Sequence, residues 1–374
     1  MGSSMRIKEL DGVRGIAVLM VLVWHYVAVQ VNLPNTSIAS FVFNSLISVF
    51  WSGVDLFFVL SGFLIGGIIY DNRKRKNFIK YFWLHRCCRI LPALAVLLIS
   101  CLFFSIILNA NSYAWLFHDM MPWWSYLSFT QNIMMGVEGT FGAHFLGVTW
   151  SLAVEEQFYL LAPLLAICLS GRSYVSAIIS LVIIAVFLRL VFPGFHGYVN
   201  MVFRMDSLLL GSLVAIAYRN EVIWKVLKNS GLKMIVISAM VLCIPWLIIA
   251  CLVAMGNSQE AKNIYHGIKF LWFSLAYSVL LLAVLIYQGS VFTKILRTSF
   301  LMFWGKIAYG LYLYHQAVSG LMHGFFRSGS IPAIIDIYSA SITITSLILV
   351  VLLALFSYKY IELPFLNYGR QYRY

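Results

Sequence analysis

Ten apolar stretches, each about as long as a bilayer-spanning helix, constrain this chain more than any other feature of its sequence. A spanning helix needs about 20 apolar residues, because it rises 1.5 Å per residue across roughly 30 Å of hydrocarbon. Hydrophobic residues make up 62% of the 374 and charged residues only 10%, a composition that no soluble domain could bury. The pattern predicts an all-α polytopic membrane protein with about ten transmembrane helices near residues 10–31, 44–70, 90–109, 150–169, 174–192, 204–219, 233–254, 268–288, 302–323 and 337–358.

The distribution of basic residues predicts how these helices are oriented. A net charge of +13 would suggest a nucleic-acid partner for a soluble protein. Here most Lys and Arg residues lie in short segments on one side of the predicted helices, so we expect no nucleic acid and read the charge by the positive-inside rule. The cluster Arg73–Lys76 follows the second stretch, whereas the loop from Ala110 to Thr149 has no Lys or Arg. Both termini are therefore expected in the cytoplasm.

The same reading divides the chain into one domain and two short tails. We expect an N-terminal tail at residues 1–9, of which 1–4 resemble a cloning remnant, a single transmembrane domain at 10–360, and a cytoplasmic C-terminal tail at 361–374.

The loop between the third and fourth stretches is rich in aromatic residues, which fit either an interfacial belt or a platform on which sugar rings stack. These residues are Trp115, Trp123, Trp124, Tyr126 and Phe129.

The first stretch carries the sharpest pair of polar residues, Arg14 and His25. Ionisable groups inside a bilayer are costly and mark functional sites by default. The two residues are 11 positions apart, close to three helical turns, so they share a face about 16 Å apart along the axis. A phosphate-bearing carrier held at Arg14 could extend a long arm to His25. A satisfied interior histidine is the alternative for His25.

The second stretch contains Asp55, which needs a partner, either an arginine or the histidine. It is a candidate catalytic residue and equally a candidate packing residue. The pairs Ser61–Gly62 and Gly66–Gly67 predict close approach of a neighbouring helix, because small residues let backbones come together.

Arginine and glutamate pairs mark the third and fourth stretches. Arg86 and Arg89 are three residues apart, on one face of a helix, and guanidinium forks suit phosphates; simple cytoplasmic charge is the alternative. Ser151 and Glu155 are four apart and share a face, whereas Glu156 points about 100° away. Two carboxylates that enter a membrane together favour a site role, for Glu155 in particular.

Three further groups complete the polar inventory of the predicted helices. Arg204 and Asp206 open the sixth stretch and could form a structural ion pair or belong to the site. Tyr159 lies one turn beyond Glu155. The ninth stretch adds three tyrosines and a histidine, at Tyr309, Tyr312, Tyr314 and His315.

These motifs, in this order, resemble the membrane-bound acyltransferase 3 family, which includes bacterial O-antigen and other polysaccharide O-acetyltransferases. The resemblance covers nearly the whole chain and rests on seven segments: Leu10–Ala17 with His25, Asp55–Gly62, Arg86 with Arg89, Ser151–Tyr159, Phe203–Gly211, Tyr309–His315 and Ser357–Phe365. The chain departs from the family in two places. Members often have a histidine shortly before Trp-Ser-Leu, where this chain has Val148–Thr149 with His144 nearby, and an arginine after the closing glutamate, where it has Leu363.

The resemblance implies acetyl transfer from cytoplasmic acetyl-CoA to a hydroxyl of an extracytoplasmic glycan, such as O-antigen or a lipid-linked sugar, in a bacterial inner membrane. His25 is then the candidate general base, with a covalent acyl-histidine as the less favoured variant, and Glu155 orients it or holds the acceptor. Acyl-CoA is a substrate, and no resident cofactor or metal is expected. Candidate donor-site residues are Arg14, Arg86, Arg89 and Ser151; candidate acceptor-side residues are His315, Tyr159, Arg204 and Asp206.

Two further expectations follow. Some relatives carry an additional esterase-like domain, which for this chain would be a separate protein.

Counting residues from the membrane surfaces also predicts that His25, Glu155 and His315 share one layer in the outer half of the bilayer. The rival function is a secondary transporter or a lipid-linked glycan exporter, since ten helices with buried charges fit that class too. A transporter does not require phosphate-binding arginines at its cytoplasmic mouth.

Overall fold

The structure is a computed structural model that describes residues 7–31, 37–108, 113–231 and 259–372. This part of the chain is helical and contains no strand. Nine of the ten predicted stretches are long helices here, and the stretch 233–254 lies outside the described residues. The long helices are α1 (Glu9–Val23), α2 (Gly53–Asn72), α3 (Phe78–Ile107), α4 (Thr149–Cys168), α5 (Gly171–Val191), α6 (Met201–Arg219), α7 (Gln259–Ile286), α8 (Ser299–Phe326) and α9 (Ile337–Ser357).

Within the described ranges, eight helical segments are long and apolar enough to cross a membrane. The long helix outside this set is α8, whose 28 residues include glycines, tyrosines and histidines. Many large apolar side chains of the outer helices are exposed, among them Ile99, Ile106, Ile183 and Phe187. Exposed apolar helix faces of this kind need lipid around them. The prediction of an all-α polytopic membrane protein is confirmed.

Shorter helical segments connect or extend the long ones. A five-residue π-helix, Trp24–Ala28, continues α1, and another, Tyr358–Glu362, continues α9. The remaining short segments are Ile38–Ile47, Ser48–Ser52, Ala114–Phe117, Trp123–Leu127, Gln131–Glu138, His196–Val199, Val291–Lys294, Ile295–Arg297 and Leu363–Arg370. The last of these falls in the predicted C-terminal tail but packs on α3. Nε2 of His85 lies 2.9 Å from the Gly369 carbonyl oxygen.

Glycines allow the central helices to touch at the backbone. The most extensive contact is between α2 and α6, where a side chain on Gly62 would overlap the Leu208 carbonyl and one on Gly211 would overlap that of Val59. The contact between α1 and α8 has the same basis at Gly15. Such close backbone contacts are typical of membrane helices, which pack together through small residues.

Two buried ion pairs connect α2, α6 and α5. Nη2 of Arg204 donates to Oδ1 of Asp55 over 2.7 Å, and Nη2 of Arg189 donates to Oδ2 of Asp206 over 2.6 Å, with all four side chains almost fully buried. The suggested pair between Arg204 and Asp206 is therefore wrong. Residues two apart on a helix point in nearly opposite directions, so each pairs with a different neighbouring helix.

Candidate functional site

Two of the cavities formed by the described residues enter the helix bundle, and we name them by their lining residues. The histidine pocket, about 1160 Å³, contains His25, His144 and His315 among aromatic side chains. The arginine pocket, about 260 Å³, contains Arg14, Arg86 and Arg89. The histidine pocket opens near the loops at 140–142 and 193–197. The arginine pocket lies toward the opposite end, where α2 ends and α3 begins.

His25 and His315 form the centre of the histidine pocket. Their ring centroids are 4.7 Å apart, as the residue count from the helix ends suggests. Nδ1 of His25 lies 3.0 Å from the Val21 carbonyl oxygen, and Nδ1 of His315 lies 2.8 Å from that of Tyr312. A carbonyl accepts a hydrogen bond, so both Nδ1 atoms carry the proton and each Nε2 keeps a free lone pair. His25 sits in the π-helical continuation of α1, a distortion that is frequent at functional sites.

A third histidine, His144, lines the same pocket from the loop before α4. Its ring packs against Trp115 with centroids 5.3 Å apart. Burial, and next the neighbouring His25, lower the pKa of His144 to about 4. The family pattern expects a histidine closer to Trp150, yet the loop brings His144 into the pocket.

Three arginines converge in the arginine pocket from α1 and α3. Arg14 is half-buried, and its Nη1 lies 3.2 Å from Oδ1 of Asp11. The guanidinium of Arg86 stacks over the Tyr159 ring at 5.7 Å. Arg89, one helical turn from Arg86, also lines the cavity. These guanidinium groups, together with that of Arg370 at the same cavity, form a site suited to a polyphosphate.

Glu155 lies in the arginine pocket, where it interacts with Arg89, Ser61 and Tyr159. The Tyr159 hydroxyl and Oγ of Ser61 are 2.5 Å apart. Glu155 therefore lines a different pocket from His25 and His315.

The two pockets meet between α4 and α8. Val54 and Tyr312 line both. The Tyr312 hydroxyl forms a short hydrogen bond with Oγ of Ser151, which lines the arginine pocket. Ser151, predicted on the donor side, thus lines the arginine pocket, and His315, predicted on the acceptor side, lines the histidine pocket.

The other predicted site residues lie elsewhere. Asp55, Arg204 and Asp206 line neither pocket and instead form the buried ion pairs described above. Oδ1 of Asp55 also accepts a hydrogen bond from Ser207 over 3.2 Å. Tyr159, expected on the acceptor side, lines the arginine pocket. The partner that Asp55 needs is an arginine, which was one of the two alternatives.

Several lining residues were not predicted as site residues. In the arginine pocket these are Lys306, Tyr358, Glu362 and Arg370, which come from the far end of the sequence. In the histidine pocket they include Trp24, Gln30, Trp51, Lys269 and Gln316. Of the loop aromatics, Trp115 lines the histidine pocket, whereas Trp124 is 58% exposed and lines neither. Across the described ranges, no group of three or more His, Cys, Asp or Glu side chains is placed to hold a metal ion.

Comparison with known proteins gives one family. The family model described as "Acyltransferase domain" matches residues 7–359. The O-acetyltransferase OatA of Staphylococcus aureus strain NCTC 8325 / PS 47 is 28% identical over 375 residues, covering 96% of this chain and 57% of OatA. OatA of strain MRSA252 gives the same values. The chain thus spans little more than half the length of these relatives. No solved structure matches it.

Proposed function

Because the chain belongs to the acyltransferase family whose model matches residues 7–359, we propose that it moves an acetyl group from cytoplasmic acetyl-CoA to a hydroxyl of an extracytoplasmic glycan. The observation that carries this proposal is the pair of pockets, which approach each other from opposite ends and share Val54 and Tyr312. One is lined by Arg14, Arg86, Arg89 and Arg370, and the other by His25, His144, His266 and His315. The acetyl group is favoured because the relatives are named O-acetyltransferases.

The arginine pocket suits the nucleotide end of the donor. Coenzyme A carries a diphosphate and a ribose phosphate, and Arg14, Arg86 and Arg89 supply forked donors for them. Glu155 and Asp11 keep these arginines oriented without neutralising all three. Arg14 on α1 and His25 in its π-helical continuation are 11 residues apart, or about 16 Å. Only the extended thiol-bearing arm of the donor could connect the two.

The positive-inside rule orients this arrangement in a bacterial cytoplasmic membrane. The basic cluster Arg73–Lys76 follows α2 at the end of the bundle where the arginine pocket lies. The loop that contributes His144 and Trp115 has no Lys or Arg. The arginine pocket then faces the cytoplasm and its acyl-CoA, and the histidine pocket faces the extracytoplasmic side.

The histidine pocket suits the acceptor and the acid–base chemistry. Its aromatic lining, including Trp24, Trp51 and Trp115, offers flat faces for sugar rings. Nε2 of His25 takes the proton from the acceptor hydroxyl as the hydroxyl oxygen attacks the thioester carbon. The tetrahedral intermediate then expels the coenzyme A thiolate, which receives the same proton from His25. An acetyl ester and free coenzyme A are the products.

His315 supports this role of His25. Its ring lies against that of His25, and its own Nε2 is buried without a hydrogen-bond partner among the described residues. The attacked hydroxyl donates its single proton to Nε2 of His25, and a second hydroxyl of the same sugar or a water can donate to Nε2 of His315. Unsatisfied buried polar atoms are uncommon and indicate a place for a ligand or water.

The donor site is tested by calorimetry with coenzyme A and purified protein. A hydrogen bond to a charged group contributes about 1.5–3 kcal/mol, so Arg14→Ala, Arg86→Ala and Arg89→Ala should each weaken binding by roughly one to two decades. Arg172→Ala is the matched control, because Arg172 is exposed and lines neither pocket. Unchanged affinity in all three variants would refute the donor site.

The reaction is tested by the mass of surface glycan from cells with and without the gene. The proposal predicts an increment of one acetyl group that disappears on deletion. If deletion instead removes the glycan from the cell surface, and the glycan that stays inside the cell has the same mass as before, the protein is an exporter. The mass difference identifies the transferred group whichever sugar carries it.

A further inference from the structure

We propose that the hydrogen bond between Tyr312 and Ser151 is the closed state of a gate between the two pockets, opened by the acyl-bearing arm of the donor. The inference rests on the proposed function and adds a moving part to it. In the structure, the Tyr312 hydroxyl bonds to Oγ of Ser151 and lies 3.4 Å from the Val148 carbonyl oxygen. Both contacts cross from α8 to the start of α4.

The position of Tyr312 makes it the barrier. Of all the lining residues, Val54 and Tyr312 belong to both pockets. Val54 is a short, branched side chain with a restricted rotamer. Tyr312 has a long side chain, and a rotation about χ1 would move its ring aside and separate its hydroxyl from Ser151 while the hydroxyl stays at the edge of the opening. The movable element is therefore the tyrosine.

Tyr312 also links the boundary to the histidine pair. Its carbonyl oxygen accepts the hydrogen bond from Nδ1 of His315 over 2.8 Å, and its ring centroid lies 5.9 Å from that of His315. On the other side, its ring meets Phe57 edge-on at 6.0 Å. A thioester that moves from the arginines toward His25 must pass between these groups, where the tyrosine ring now lies.

Opening exchanges hydrogen bonds rather than losing them. The arm separates the hydroxyls of Tyr312 and Ser151, and both can then donate to the carbonyl oxygen of the thioester. The same donors would stabilise the negative charge that develops on that oxygen during attack. The arm itself fills the opening, so water from the larger histidine pocket does not reach the donor by another route.

The gate is tested by the hydrolysis of acetyl-CoA without an acceptor, followed as thiol release by purified protein. Tyr312→Ala leaves an opening wider than the arm, and we expect hydrolysis at least about tenfold faster than in the wild-type protein. Tyr312→Phe keeps the ring but loses the hydroxyl that contacts Ser151 and Val148 in the closed state, so a roughly two- to tenfold increase is expected. His25→Ala combined with Tyr312→Ala should return hydrolysis to the wild-type level, because the attacking water then lacks its base.

The matched control is Tyr314→Phe. Tyr314 lies on the same helix, donates to the Ala93 carbonyl and lines neither pocket, so its variant should hydrolyse acetyl-CoA at the wild-type rate. Folded Tyr312 variants that bind coenzyme A and hydrolyse acetyl-CoA no faster than wild type overturn the gate. If only Tyr312→Phe folds, the same criterion applies to it. Failure of the wild-type protein to bind coenzyme A overturns the proposed function, and the gate with it.

Discussion

Replacing Asp55 tests whether this residue holds the helices together or takes part in catalysis. Oδ1 of Asp55 accepts from Arg204 over 2.7 Å and from Ser207 over 3.2 Å. Both members of the ion pair are almost fully buried. Asp55→Asn keeps the shape of the side chain but leaves the guanidinium of Arg204 without a counter-charge.

The expected loss in the free energy of unfolding follows from the burial of the ion pair. Removing one partner of a buried ion pair destabilises a protein by about 3–5 kcal/mol, because the remaining charge is uncompensated. The aromatic rings around Arg204, the nearest being Phe270 with its centroid 3.8 Å from the guanidinium carbon, cannot replace a full negative charge. At roughly 2 °C per kcal/mol for a large chain, Asp55→Asn should lower the unfolding temperature by about 6–10 °C.

Thermal unfolding in detergent, followed by tryptophan fluorescence, measures this shift. Asp55→Leu combined with Arg204→Met should recover most of it, since apolar residues of similar volume commonly replace a buried pair without loss. The control is Asp71→Asn, which breaks the more exposed pair with Arg219 and should cost only about 0–1 kcal/mol. An unchanged unfolding temperature in Asp55→Asn together with lost acetyl transfer would refute the structural role and restore the catalytic one.

Three further outcomes are expected. Gly62→Leu should destabilise the protein by at least about 1–3 kcal/mol, because its Cβ would overlap the Leu208 carbonyl; Gly197→Ala, whose Cβ would find only ordinary contacts, should have little effect in the same unfolding assay. Trp115→Ala should reduce transfer to membrane glycan about two- to tenfold without changing coenzyme A affinity, whereas Trp124→Ala should change neither. The pKa of His144 is lowered from 6.5 to about 4, so the unfolded chain binds more protons in that interval and stability falls as the pH drops from 6.5 toward 4; a pH series of unfolding temperatures should show a smaller decline for His144→Asn.

The helices could be predicted from the sequence because hydropathy and length act locally. Each long helix of the described residues falls on an apolar stretch, and the glycines of α2 lie where close packing was expected. That Arg14 and His25 line cavities was also predictable, because ionisable residues in a membrane helix face the bundle interior or a cavity, although the two line different pockets. Likewise, Arg86 and Arg89 share a face at a spacing of three residues.

The sequence was less informative where the surroundings of a side chain depend on contacts between distant segments of the chain. Glu155 lines the arginine pocket and not the histidine pocket, a distinction that counting residues along single helices does not make. The loop before α4 carries His144 into the histidine pocket. No local pattern encodes the path of such a loop. The partner of Asp55 was equally hidden, because 149 residues separate it from Arg204.

The most direct test of the account separates binding of the donor from acyl transfer in one variant, His25→Ala. Loss of a general base typically slows a reaction by about 10²–10⁴-fold, so acetyl transfer to the membrane glycan should fall to that extent. Because His25 lines the histidine pocket and not the arginine pocket, calorimetry should show coenzyme A affinity within a few-fold of wild type. Transfer at a near wild-type rate by the folded variant would contradict the role of His25 as the base.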